Sequence, residues 1–150
     1  MNSIEGMAPF FSLLGDLAWK ETRSIQLLQP QGNLLPGQYG LLELYCMDRK
    51  CDCRRVILHV VSEDHPGKVL AAINFGWESV QFYTRWMRGD KKAGRDIANA
   101  SLDPLNPQSP YSSALLDLVQ ASVLSDPDYV ERLERHYWMF KKALSKNPAR

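Results

Sequence analysis

Residues Tyr39 to Ser62 read YGLLELYCMDRKCDCRRVILHVVS, two apolar runs rich in β-branched and aromatic residues around a short polar stretch. Such a pair of runs separated by a few polar positions predicts a β-hairpin. The tip holds every cysteine of the chain, Cys46, Cys51 and Cys53, within eight positions. With MDRK as the loop, Cys46 and Cys51 face each other across the base of the turn, their Cβ atoms about 4.5 to 5.5 Å apart on one side of the sheet. Cys53 lies two positions on, and the alternation of a strand returns it to that side. Three sulfurs then converge, which predicts a thiolate metal site with zinc as its ion and a fourth ligand completing a tetrahedron.

Chain reach selects the fourth ligand. His59 is six residues beyond Cys53, roughly 20 Å along a strand, and His65 sits at the far end of the hairpin in the turn EDHPG. His136 lies on a C-terminal helix whose apolar stripe must pack on the sheet, so it can return to the cysteines, and closing that long loop through a metal constrains the chain. Asp48, Asp52 or water are the alternatives to His136. Two readings need no metal: buried unreactive thiols, and a Cys46–Cys51 disulfide across the strands.

Outward from the hairpin, Ala8 to Trp19 predicts a short helix, Glu21 to Gln29 (ETRSIQLLQ) a strand, and PQGNLLPG from Pro30 a loop. Val69 to Trp77 (VLAAINFGW) follows the turn DHPG as a further strand. Val80, Phe82, Tyr83, Trp86 and Met87 recur at helical spacing up to Gly89; Trp77, Phe82, Tyr83 and Trp86 read most simply as core aromatics. After a loop through Asp103, Pro104, Asn106, Pro107 and Pro110, Ser109 before Pro110 and Asp126 before Pro127 read as N-caps with proline at the first helical position. The last helix carries Val130, Leu133, Tyr137, Phe140 and Leu144 on one stripe, with Tyr129 and His136 along its edge. The fold class is therefore α+β: one domain over 1–150, a mostly antiparallel sheet of about four strands packed with C-terminal helices, and a zinc-stabilised hairpin.

The chain has 150 residues, 45% hydrophobic, and a formal net charge of +1, enough apolar content for one core and no global field to attract nucleic acid, membrane or acidic substrates. No apolar run approaches the roughly 18 residues of a membrane span, Glu5 stands where a secretory signal has basic residues, and an odd number of thiols suits a reducing compartment. The expected location is the cytoplasm.

The CDC element resembles part of the SWIM type of zinc site, but no CxH follows it, and the paired cysteines or Cys-His that end a SEC-C type site are absent too. Arg49, Lys50, Arg54 and Arg55 around the cysteines would offset the net charge of −1 on a zinc with three thiolates and a neutral imidazole. Three thiolates make zinc a poor Lewis acid, and no HExxH, HxE with PCxxC, or GxSxG motif supplies further chemistry. No catalytic residue is assigned. The expectation is a small zinc-binding interaction or adaptor domain with a protein partner; a nucleic-acid-binding protein using the basic tip and the patch from Arg85 to Arg95, and a zinc-dependent hydrolase, are the alternatives.

Overall fold

The computed structural model describes residues 6–106 and 108–146, so Pro107 of the expected loop and Glu5 lie outside the described residues. The hairpin of the opening stretch is its centre. Strand β3 (Gly37–Cys46) pairs antiparallel with β4 (Arg55–Ser62), from Tyr39 opposite Ser62 to Leu44 opposite Ile57. β5 (Ala71–Gly76) continues the sheet beside β4, and β6 (Ser101–Leu102) pairs with β5. The other side of β3 is shared: β1 (Met7–Pro9) pairs with its end near Cys46, and β2 (Ser24–Leu27) with its start.

All pairings are antiparallel, and the sheet has six strands rather than about four. The two extra strands, β1 and β6, are three and two residues long, too short to show any periodicity. β1 opens the segment expected as one helix; it runs into a single 3-10 turn at Phe10–Ser12, and helix α1 (Gly15–Glu21) follows. The expected strand at 21–29 shrinks to β2, because Glu21 ends that helix.

Alternation along β3 and β4 gives the sheet two unlike faces. Leu41, Tyr45, Val56, Leu58 and Val60 belong to the main core with Ile73 of β5, and helices α4 (Ser112–Ser122) and α5 (Pro127–Ser145) cover them. Leu44 and Ile57 point the other way into a small cluster with Met7 and Ala72. α5 starts as expected: Asp126 accepts a hydrogen bond from the Asp128 N–H, and Pro127 takes the first turn. It buries Tyr129, Leu133, His136, Tyr137, Phe140 and Leu144. α4 starts later than expected, because the Ser109 hydroxyl donates to the Leu70 carbonyl and accepts from the Tyr111 N–H instead of capping.

The aromatic helix divides in two. α2 (Val80–Trp86) is capped by Ser79 and α3 (Lys91–Ala98) by Asp90, with Met87 to Asp90 as the turn between them. Gly94 permits the crossing, since a Cβ there would stand 2.2 Å from Thr84 Oγ1 and 2.8 Å from Thr84 N. Tyr83 is buried, whereas Trp86, expected in the core, is 38% exposed.

Candidate metal centre

The connection between β3 and β4 has eight residues, 47–54, rather than four, so Cys46 ends a strand while Cys51 and Cys53 lie in the connection itself. Strand alternation therefore does not align the three. Loop bonds do. Asp48 folds the tip: its side chain accepts from the Lys50 N–H at 2.9 Å and its carbonyl from the Cys51 N–H at 3.1 Å. Arg54 adopts a left-handed backbone (φ 46°), and its guanidinium binds both oxygens of Asp52, at 2.8 and 3.1 Å, and reaches Glu78 at 3.2 Å. The Tyr83 hydroxyl donates to the Arg54 carbonyl at 2.5 Å. From α5, Lys141 Nζ donates to the carbonyls of Asp48, at 2.8 Å, and of Cys51.

This scaffold brings Cys46, Cys51 and Cys53 together, with all three Sγ atoms within 4.8 Å of one another. Ligands of a tetrahedral thiolate site at about 2.3 Å from a metal stand about 3.8 Å apart. The three are thus close enough to hold a metal ion with a small contraction. No other His, Cys, Asp or Glu among the described residues brings a ligand atom into the group. Cys53 is buried, and Cys46 and Cys51 are half-buried.

Without a metal, the trio shares its protons unequally. Cys46 is held down to about 5, first by the S–H of Cys53 that points at it, with the Asp48 N–H and the Lys141 ammonium adding to the effect against burial. Cys53 is pushed up because its proton is engaged on Cys46 and because it is buried; burial, then the charge on Cys46, raises Cys51. One thiolate solvated by two thiols is the arrangement a soft cation would replace.

His136, expected as the fourth ligand, is placed elsewhere. Its ring is fully buried and stacked on Phe10 at 4.2 Å, with Nδ1 2.7 Å from Glu43 Oε1 and Nε2 2.7 Å from Glu21 Oε1. Each ring nitrogen thus faces a carboxylate oxygen. Tyr45 adds a hydroxyl donor to the same Glu43 oxygen at 2.8 Å, and Arg135 pairs with Glu21 at 3.1 Å. This carboxylate–imidazole–carboxylate chain ties α1, β3 and α5 together.

The basic residues divide as well. Arg54 stacks over Phe82 at 5.1 Å and Trp138 at 5.6 Å, and Arg55 over Trp86 at 5.6 Å, so the cysteine loop is docked on α2 and α5 through cation–π contacts. Sequence reasoning did not find Lys141 or Tyr83 as supports of the loop, because both sit on helices remote in sequence; a lysine at the end of a core-facing helix was the one available signal. No known protein family, curated protein or solved structure matches the chain.

Proposed function

We propose that the chain is a small cytoplasmic zinc-binding domain in which Cys46, Cys51 and Cys53 hold the ion, and that the metal fixes the β3–β4 connection as an interaction surface for a partner. The convergence of three sulfurs within 4.8 Å in a loop already pinned by Lys141 and Tyr83 carries this reading. Thiolate ligands select a thiophilic ion, and zinc suits a site with no redox task. A reducing compartment keeps the thiols available. No helix among the described residues is long and apolar enough to cross a membrane.

Three protein ligands leave the fourth position to water or to a donor from a partner. That opening is the feature a zinc-dependent hydrolase would share, so cobalt substitution is the deciding experiment. Intense sulfur-to-cobalt charge transfer with tetrahedral d–d bands supports the thiolate site, and loss of both in Cys51→Ser supports its ligand set. Octahedral spectra without charge transfer would contradict it. Bands that shift with pH or added anion would move the assignment toward an enzyme, whereas unresponsive bands support a structural metal.

A further inference from the structure

We propose that the face formed by the cysteine loop and the α2–α3 turn binds single-stranded nucleic acid, with phosphates on exposed cations and a base in the cavity beside Trp86. The inference rests on the reading of the chain as an interaction domain and names the partner of that surface.

Charge is the first support. Residues 48–55 hold four cations against two carboxylates and residues 78–96 five against three, a local excess of +4 in a chain whose total is +1. Contacts join the two segments: Arg54 bonds Glu78 and lies over Phe82, and Arg55 lies over Trp86. Arg49, Lys50, Arg85, Arg88 and Lys91 are exposed and have no ion-pair partner among the described residues. The tight α2–α3 crossing at Gly94 holds the turn that carries Arg88 and the first residue of α3, Lys91, so these charges are presented by a fixed element.

Aromatic surface is the second. Trp138 is 46% and Trp86 38% exposed, and although Arg54 and Arg55 each lie over one of these rings, the exposed part of each offers stacking to unpaired bases of any sequence. Trp86 also walls a cavity of about 300 Å³ with Arg55, Asn74, Met87, Asp103 and Leu105. Its lining is mostly apolar, completed by Met7, Ile57 and Ile97, and so suits the flat of a base; among its few polar groups, Arg55 Nη1 donates to Asn74 Oδ1 at 3.1 Å, and the buried Arg55 Nε–H has no partner among the described residues. Cations alone would serve an acidic peptide or an anionic membrane equally well; partly exposed indoles among those cations, beside an apolar cavity that holds the unpartnered Arg55 Nε–H, favour a splayed single strand over either.

The test is fluorescence anisotropy of a labelled single-stranded 20-mer of mixed sequence with the full chain, its zinc content measured in the same samples. A Kd in the micromolar range at low salt, with affinity falling steeply as salt rises, is expected from phosphate contacts. Arg85→Ala/Arg88→Ala should weaken binding by about tenfold and reduce the salt slope by about 1.4, the share of two phosphates at ~0.7 each. Trp86→Ala should lower affinity by about tenfold through lost stacking while the salt slope stays unchanged. Circular dichroism and Tm confirm that each variant is folded. Binding weaker than about 100 μM at low salt, the weak limit of non-specific association, would overturn the inference, as would affinity unaffected by the double substitution or exceeded by that for an acidic peptide or phosphatidylserine vesicles. A zinc-loaded chain that ignores the strand would end this inference and leave the metal reading intact; a zinc-free chain that binds it would do the reverse.

Discussion

Cys46 is where the charge of the cysteine trio resides, and it sets a measurable property of the metal-free chain. Thiolate absorbance at 240 nm should account for one thiolate per chain, appearing with a midpoint near 5, because the Cys53 S–H stabilises the Cys46 anion. Cys53→Ala should move that midpoint up toward the ordinary thiol value, and an unchanged midpoint would contradict the hydrogen-bond origin. Glu21 supplies a second pH dependence. The His136 N–H lowers its pKa from the ordinary 4.5, with Arg135 assisting against burial. A lowered folded pKa means that the stabilisation is complete above 4.5 and is lost as pH falls through the folded value. Between wild type and Glu21→Gln, the Tm difference should therefore be full at neutral pH and shrink only below 4.5; a constant difference across that range would contradict it. His136→Ala leaves the buried Glu43 with the Tyr45 hydroxyl alone and opens a cavity under Phe10, which together should cost about 3 kcal/mol while zinc content stays the same. The residues of the cysteine cluster were legible in the sequence, since their spacing alone confines three sulfurs to one tip. The partner of His136 was less so. Its helix edge does pack on the sheet, but at Glu43, three residues and roughly 10 Å along β3 from Cys46. An acidic residue on the inward face of GLLELY was the signal, because a buried carboxylate needs a donor.

At the scale of elements, the β3–β4 connection is held by its neighbours as much as by its own turns. Lys141 lies five residues beyond His136 on α5, about 7.5 Å along the axis, and that advance brings it to the carbonyls of Asp48 and Cys51. Lys141→Met should keep the fold but weaken zinc affinity about tenfold or more, as the loss of an outer-shell partner does, measured by competition with a chromogenic chelator. Gly94→Ala should cost about 1 to 3 kcal/mol, because its methyl would press on the Thr84 backbone and force α2 and α3 apart. Long elements were readable: β3, β4 and β5 are apolar runs rich in aliphatic and aromatic residues, and α5 carries the helical period of its buried stripe. Short ones were not. β1 and β6 form only because longer strands offer free backbone groups beside them, and α3 depends on its Asp90 cap and on packing against α2 through Gly94, neither of which a periodic pattern records. The hairpin tip was misjudged for a related reason. Polar residues and cysteines have no period, so the end of β3 and the start of β4 were placed by composition alone.

For the whole molecule, the expectation of one domain over 1–150 is tested by thermal unfolding: one cooperative transition is the expected result, and two separate transitions would contradict it. Zinc bound at the three cysteines would stabilise the folded state by mass action, by about 4 kcal/mol when free zinc is about a thousandfold above Kd. For a chain of this length that corresponds to a Tm rise of about 10 °C over the chelated protein. The loop's carbonyl, Arg54 and Tyr83 contacts do not pass through the cysteine sulfurs, so the chelated chain should remain folded. The central claim is that three sulfurs bind one metal ion, and elemental analysis of chain purified without oxygen tests it most directly. One zinc per chain in the wild type and almost none in Cys51→Ser is the expected result; a folded wild type carrying no stoichiometric metal, or a Cys46–Cys51 disulfide in its place, would contradict it.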